Sequence, residues 1–147
     1  MDNLQISTGE KRIPVSRDGV SVGELVFNPS DTIFAEKFYR LLGEFQTKLQ
    51  EYQSRSKQLD ANQSEDENGL PENMSDRLGL VKEACQFIHA KIDDLFGIGV
   101  SAMLFGEALS LDAVQQFFEG ITPFIRSARV EKIQKYTHKK PNKKVKQ

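Results

Sequence analysis

The chain predicts a mainly α fold, a small helical domain of about four helices behind a short N-terminal β-hairpin or extended arm. Three observations carry that expectation. Phe34, Phe38, Leu41, Phe45, Leu49 and Tyr52 recur at three- and four-residue steps and draw one apolar stripe. Leu78, Val81, Cys85, Ile88, Ile92 and Leu95 repeat the same spacing. Upstream of both, Ile13, Val15, Val20, Val22, Leu25 and Val26 are β-type residues punctuated by Pro14, Asp18-Gly19 and Gly23.

The first unit, residues 1–28, reads as the extended or hairpin arm, with Arg17-Asp18-Gly19-Val20 as its turn. An isolated hairpin is marginal in water, so this one must lean on the helices or on a partner. The helical domain is expected over residues 29–137. Asn28 is placed to cap its first helix, Pro29 suits the first helical position, and Asp31 puts negative charge into the first turn. That helix runs from about Pro29 to between Ser54 and Leu59, and its polar second half is expected to project as a solvated arm.

Residues 60–73 break the pattern: acidic, turn-rich and aperiodic, they read as a mobile loop. A second helix starts between Met74 and Asp76 and stops at Phe96-Gly97, where Gly97 can take a left-handed cap. Gly79 lies inside it, at a cost of about 1 kcal/mol against alanine unless a close approach needs it. A tight turn, one short helix and a glycine stop at Gly106 follow. Ser110 is placed to cap a third helix carrying Leu111, Val114, Phe117 and Phe118. Gly120 and Pro123 then separate it from a fourth, about Pro123 to Tyr136, with Phe124, Ile125, Ala128, Ile133 and Tyr136 on the inner side. Residues 138–147 read as a basic disordered tail.

Composition narrows the function classes. The 147 residues suit one domain, and a net charge of −1 gives no global bias toward nucleic acid or membrane. Ten Phe against no Trp point to aromatic mass used for packing. A single cysteine, Cys85, excludes an internal disulfide, and its place in the second stripe marks it as a small packed hydrophobe. Neither a signal-type apolar segment nor a membrane-spanning run is visible, so a cytoplasmic protein without membrane contact is expected.

The residues show no catalytic, cofactor-binding or metal-binding constellation. Gly97-Ile98-Gly99 follows a helix rather than a strand and lacks a subsequent Gly-Lys-Ser/Thr, so it reads as a cap and turn rather than a phosphate cradle. Asp93 and Asp94 point about 100° apart on a helix and do not readily share a ligand. His89 and His138 fit no zinc spacing. No cofactor is expected. The charge distribution is more informative: Arg126, Arg129, Lys132, Lys135, Lys139 and Lys140, continued by Lys143, Lys144 and Lys146, face only Glu131. Such a cluster reads as a solubilising tail or as one that contacts an acidic protein surface, and it also offsets the acidic loop of the same or a neighbouring subunit. The alternative is a basic-tailed nucleic-acid-binding or regulatory protein, but no base-reading motif accompanies the cations.

Three strings stand out as a set: Leu25-Val26-Phe27-Asn28-Pro29-Ser30-Asp31-Thr32, Ile92-Asp93-Asp94-Leu95-Phe96-Gly97 and Phe117-Phe118-Glu119-Gly120-Ile121-Thr122-Pro123-Phe124. Over roughly residues 22–137 the chain resembles small proteins of the tail module of phages and prophages of Gram-positive bacteria. Those proteins, encoded between tail tube and tape measure genes, look like tail assembly chaperones. The resemblance implies a non-enzymatic binding role in the cytoplasm of the bacterial host cell, with the tape measure protein and tail tube protein as partners, and is compatible with a homo-oligomer. Phe34, Phe38, Phe45, Phe117 and Phe118 are then the candidate partner-binding residues, most of which must also serve the core. The acidic loop at residues 60–73 maps to nothing the resemblance implies.

Overall fold

The computed structural model describes residues 2–62 and 64–137, except for the side chains of Lys132 and Thr137. The expected tail at 138–147, with Lys139 and Lys140, lies outside the described residues, as does the Lys132 side chain. Among the described residues the element order is β1 (Lys11–Arg17), β2 (Val20–Phe27), α1 (Thr32–Asp60), α2 (Met74–Phe96), α3 (Val100–Phe105) and α4 (Leu111–Thr137). The fold is mainly α with an N-terminal antiparallel hairpin, as the periodicities predict.

Asp18 and Gly19 turn the hairpin at φ 53° and 81°, both positive, the geometry that matches the twist of the flanking strands. Ile13 pairs with Leu25 and Val15 with Gly23, but Ser16 pairs with Ser21, so Val22 is the extra residue of a bulge. Gly23 sits at φ 142°, and a Cβ there would lie 2.8 Å from Met103 Sδ. This close approach seats α3 directly on the strand. Leu25 and Phe27 complete the attachment by burying against the helices.

Helix α1 starts later than the sequence suggests. Asn28 does not cap it; its Oδ1 accepts from Ser30 N at 3.0 Å and closes a turn around the buried Pro29. Asp31 is the cap instead, its carboxylate accepting from Ile33 N at 2.9 Å. Ala35, Phe38, Leu41 and Phe45 are the buried residues of the helix, and none beyond Phe45 is fully buried.

The polar second half does not project alone. Lys91 reaches Glu44 at 3.5 Å, Arg55 meets Glu83 at 2.8 Å, and Arg77 meets Asp60 at 2.6 Å. Those pairs order α1 and α2 as an antiparallel αα-hairpin. At its tip, Asn73 Nδ2 donates to the Leu59 carbonyl at 2.8 Å. The Asp66 carboxylate accepts from Asn68 N and Leu70 N at 2.8 and 3.0 Å, giving the acidic loop a local scaffold.

In α2 the buried residues are Leu80, Ala84, Cys85, Ile88 and Ile92. Leu78, expected at the head of the stripe, is 62% exposed, because the facing end of α1 is polar and offers nothing apolar to cover it. Gly97 ends α2 at φ 123°, ψ 149°, an extended glycine-only conformation rather than the left-handed cap expected. Gly99 takes the left-handed conformation instead and starts α3. Asp93 ties the corner, accepting from Ser101 N at 2.8 Å.

The third and fourth helices of the sequence reading are one helix, α4, with Pro123 inside it. Ser110 caps it as expected, its Oγ accepting from Ala113 N at 3.2 Å. A mid-helix proline costs about 3 kcal/mol in isolation. Here Val114, Phe118, Ile121, Ile125 and Ala128 form a buried row straight across it. Burial of each large side chain in that row stabilises by about 1.5–3 kcal/mol, so packing outweighs the broken hydrogen bond. Thr122 Oγ1 also donates to the Phe118 carbonyl at 2.6 Å. Three residues expected on the inner side are exposed instead: Phe124, at 41%, lies off the buried row on the side facing β1, while Ile133 and Tyr136, at 55% and 66%, lie beyond Ala128, where the core ends.

Candidate functional site

The aromatic rings tie the elements together. Phe96 meets Phe34 and Phe117 with centroids 5.4 Å apart in each case, and Phe118 contacts Phe117 at 5.3 Å and Phe45 at 4.9 Å. Phe38 approaches Phe118 at 6.1 Å. This network absorbs the residues that sequence reasoning offered to a partner. Phe38, Phe45 and Phe118 are 0%, 3% and 3% exposed, while Phe34 and Phe117 are half-buried against the same core. As whole rings these five are packing residues, because covering each other and the Leu and Ile side chains removes more apolar surface from water than any surface position would. What they leave accessible is the floor of two depressions, one on each side of α4.

The first lies between α1 and α4 and has a volume of about 400 Å³. Phe45 and Phe118 form its floor, the half-buried Leu42 and Leu49 stand beside them, and Arg126 and Glu119 rim it. Three of the predicted candidates, Phe45, Phe118 and Arg126, therefore converge here. The second depression, about 880 Å³, runs between β1 and α4. Ile13 and Val15 form one wall, Phe117, Gly120 and Phe124 the other, and Asp18 and Glu107 stand at its end. A smaller hollow of about 420 Å³ beside Glu10 and Glu131 shares Phe124 with it. Neither the trough nor its strand wall was anticipated. A second α4 row, Ala113, Phe117, Gly120 and Phe124, was the available signal, hidden by placing Phe124 in the core.

Arg129 is taken up locally, donating to the Ser30 carbonyl at 3.1 Å and reaching Thr32 Oγ1 at 3.5 Å. Arg126 and Lys135 are nine residues apart, which at about 100° per residue sets them on opposite sides of the helix. Lys135 lies over the Tyr136 ring at 5.5 Å.

Two further titratable groups, Cys85 and His89, lie in α2. Cys85 is 0% exposed, and burial pushes its thiol up, which disfavours the reactive thiolate. His89 stacks on Phe105 at 4.7 Å with its Nε2 buried and unpaired. Desolvation lowers its pKa, partly opposed by the Asp93 carboxylate one turn on. Among the described residues there is no group of three or more His, Cys, Asp or Glu that could hold a metal ion, and no helix long and apolar enough to cross a membrane.

No curated protein and no solved structure matches the chain. Residues 22–147 match the family of unknown function DUF6673, and with that share of its length covered the chain belongs to this family.

Proposed function

We propose that the protein is a phage or prophage tail assembly chaperone, a non-enzymatic binder of the tape measure protein and of tail tube subunits in the bacterial host cytoplasm. Two things support the reading: the three strings quoted above and the groove between α1 and α4. The groove is the observation that carries it. Half-buried Leu42 and Leu49 over the Phe45–Phe118 floor, with Arg126 and Glu119 at the rim, suit the apolar face of a client helix flanked by charge. A long helical client aggregates unless its apolar stripe is covered reversibly, and a shallow groove provides reversible cover.

Co-expression with the tape measure protein of the same phage or prophage tests this. A larger soluble fraction of that protein, recovered together with the chaperone, is the expected result. Leu49→Asp, checked for folding by circular dichroism, should lower the recovery at least several-fold. Unchanged solubility of the tape measure protein with the unaltered chain would remove the reading. The nucleic-acid alternative gains little from the structure, since Arg129 is engaged by the chain itself and Arg126 and Lys135 diverge.

A further inference from the structure

We infer that the trough between β1 and α4 is a socket for the C-terminal end of α4 from a second copy of this chain, so that copies join head to tail. The helical wall of the socket has an unusual residue. Gly120 lies mid-helix, where glycine costs about 1 kcal/mol against alanine. A Cβ built there meets nothing within 4 Å, so the fold itself has no need for the missing side chain. Its absence keeps the trough open between Phe117 and Phe124, and lets another backbone approach closely.

The occupant is identified by shape and charge. Pro14 in the middle of β1 supplies no N–H for a ladder, which handicaps an added strand, whereas a helix asks no backbone bonds of the socket. Beyond Ala128, α4 exposes Val130 at 44%, on a stretch that carries Lys132 and Lys135 against Glu131 and is followed in the sequence by Lys139, Lys140, Lys143, Lys144 and Lys146. Among the described residues that line the socket, Asp18 and Glu107 at its mouth outnumber the one cation, Arg17, whose guanidinium donates to the Met103 carbonyl. Opposite charge thus meets opposite charge around an apolar contact. The helix end cannot enter its own trough, because the trough wall is the same rigid helix. The partner must be another molecule, and the contact is heterologous, with socket and knob at different places on each copy.

The test uses the full chain, with mass measured by light scattering across a concentration series to about 200 µM, within the range where weak protein contacts register. The unaltered protein should rise in mass with concentration. Gly120→Leu fills the socket while leaving the knob, and Val130→Asp spoils the knob while leaving the socket; each should stay monomeric, with an unchanged circular dichroism spectrum. An equimolar mixture of the two should form a dimer, because one intact socket then meets one intact knob. A monomeric unaltered chain, Gly120→Leu assembling as before, or a mixture that stays monomeric would each overturn the inference.

Discussion

The two ends of the α1–α2 hairpin are built from similar helical patterns and held by different forces. At the end near the hairpin strands, Phe38, Phe45, Ile88 and Ile92 are buried, with Phe118 and Ile125 of α4 closing over them. At the far tip, Leu78 is 62% exposed, and the contacts are Arg55–Glu83, Arg77–Asp60 and the Asn73 amide on the Leu59 carbonyl. Exposed ion pairs of this kind contribute about 0–1 kcal/mol, against about 1.5–3 kcal/mol for each large side chain buried at the other end. A third apolar layer makes the difference. Where α4 and the strands cover the helix pair, periodicity becomes stability; where they do not, the same spacing leaves leucine in water.

The sharpest test of this contrast is Phe118→Ala. The ring touches Phe38, Phe45 and Phe117, so its removal opens a cavity at the crossing of α1 and α4. A loss of about 3–5 kcal/mol is expected, read as a lower urea midpoint, and a large share of the total for a domain this size. A cost below about 1 kcal/mol would mean that the stability does not reside at the covered end.

Acidification comes next. The pKa of His89 is lowered in the fold by desolvation, so the neutral imidazole is the form that the packing against Phe105 favours. In the unfolded chain this histidine, with a pKa of about 6.5, binds the proton more readily. The contribution of His89 is fully present above that value and is lost as pH falls through the lower folded pKa. Urea midpoints at pH 7.5 and 5.5 should therefore drop more for the unaltered chain than for His89→Gln. Equal drops would mean that this side chain does not couple the α2–α3 corner to pH.

The smallest effect belongs to the tip. Gly79 is exposed within α2, and a Cβ there meets nothing within 4 Å, so the close approach that would justify glycine is missing. Gly79→Ala should raise stability by about 0.5–1 kcal/mol through helix propensity alone. A destabilised variant would show a contact at the tip that the described residues lack.

Much of the architecture was legible because it depends on local rules. The Asp18-Gly19 turn, the Ser110 cap and the existence of α1 and α2 follow from residue types that determine their own backbone geometry. The failures are equally specific. Asn28 and Asp31 are both good caps, and the choice between them fell to a turn that buries Pro29. Pro123 is a helix breaker by propensity, yet the row from Val114 to Ala128 carries α4 through it. Of the candidate residues, Phe45, Phe118 and Arg126 line one groove, but the rings form its floor rather than its exposed wall. The trough was missed because half of it is a strand, and periodicity along a helix says nothing about what lies across from it.

Local order in this protein is thus written along the chain, since turns, caps and apolar spacing act over a few residues. Which apolar stripe ends in a core, which helix end stays in water and where a surface opens were decided only by assembly of the elements. Burial is a property of pairs of surfaces brought together from distant positions, and no single stripe carries it alone.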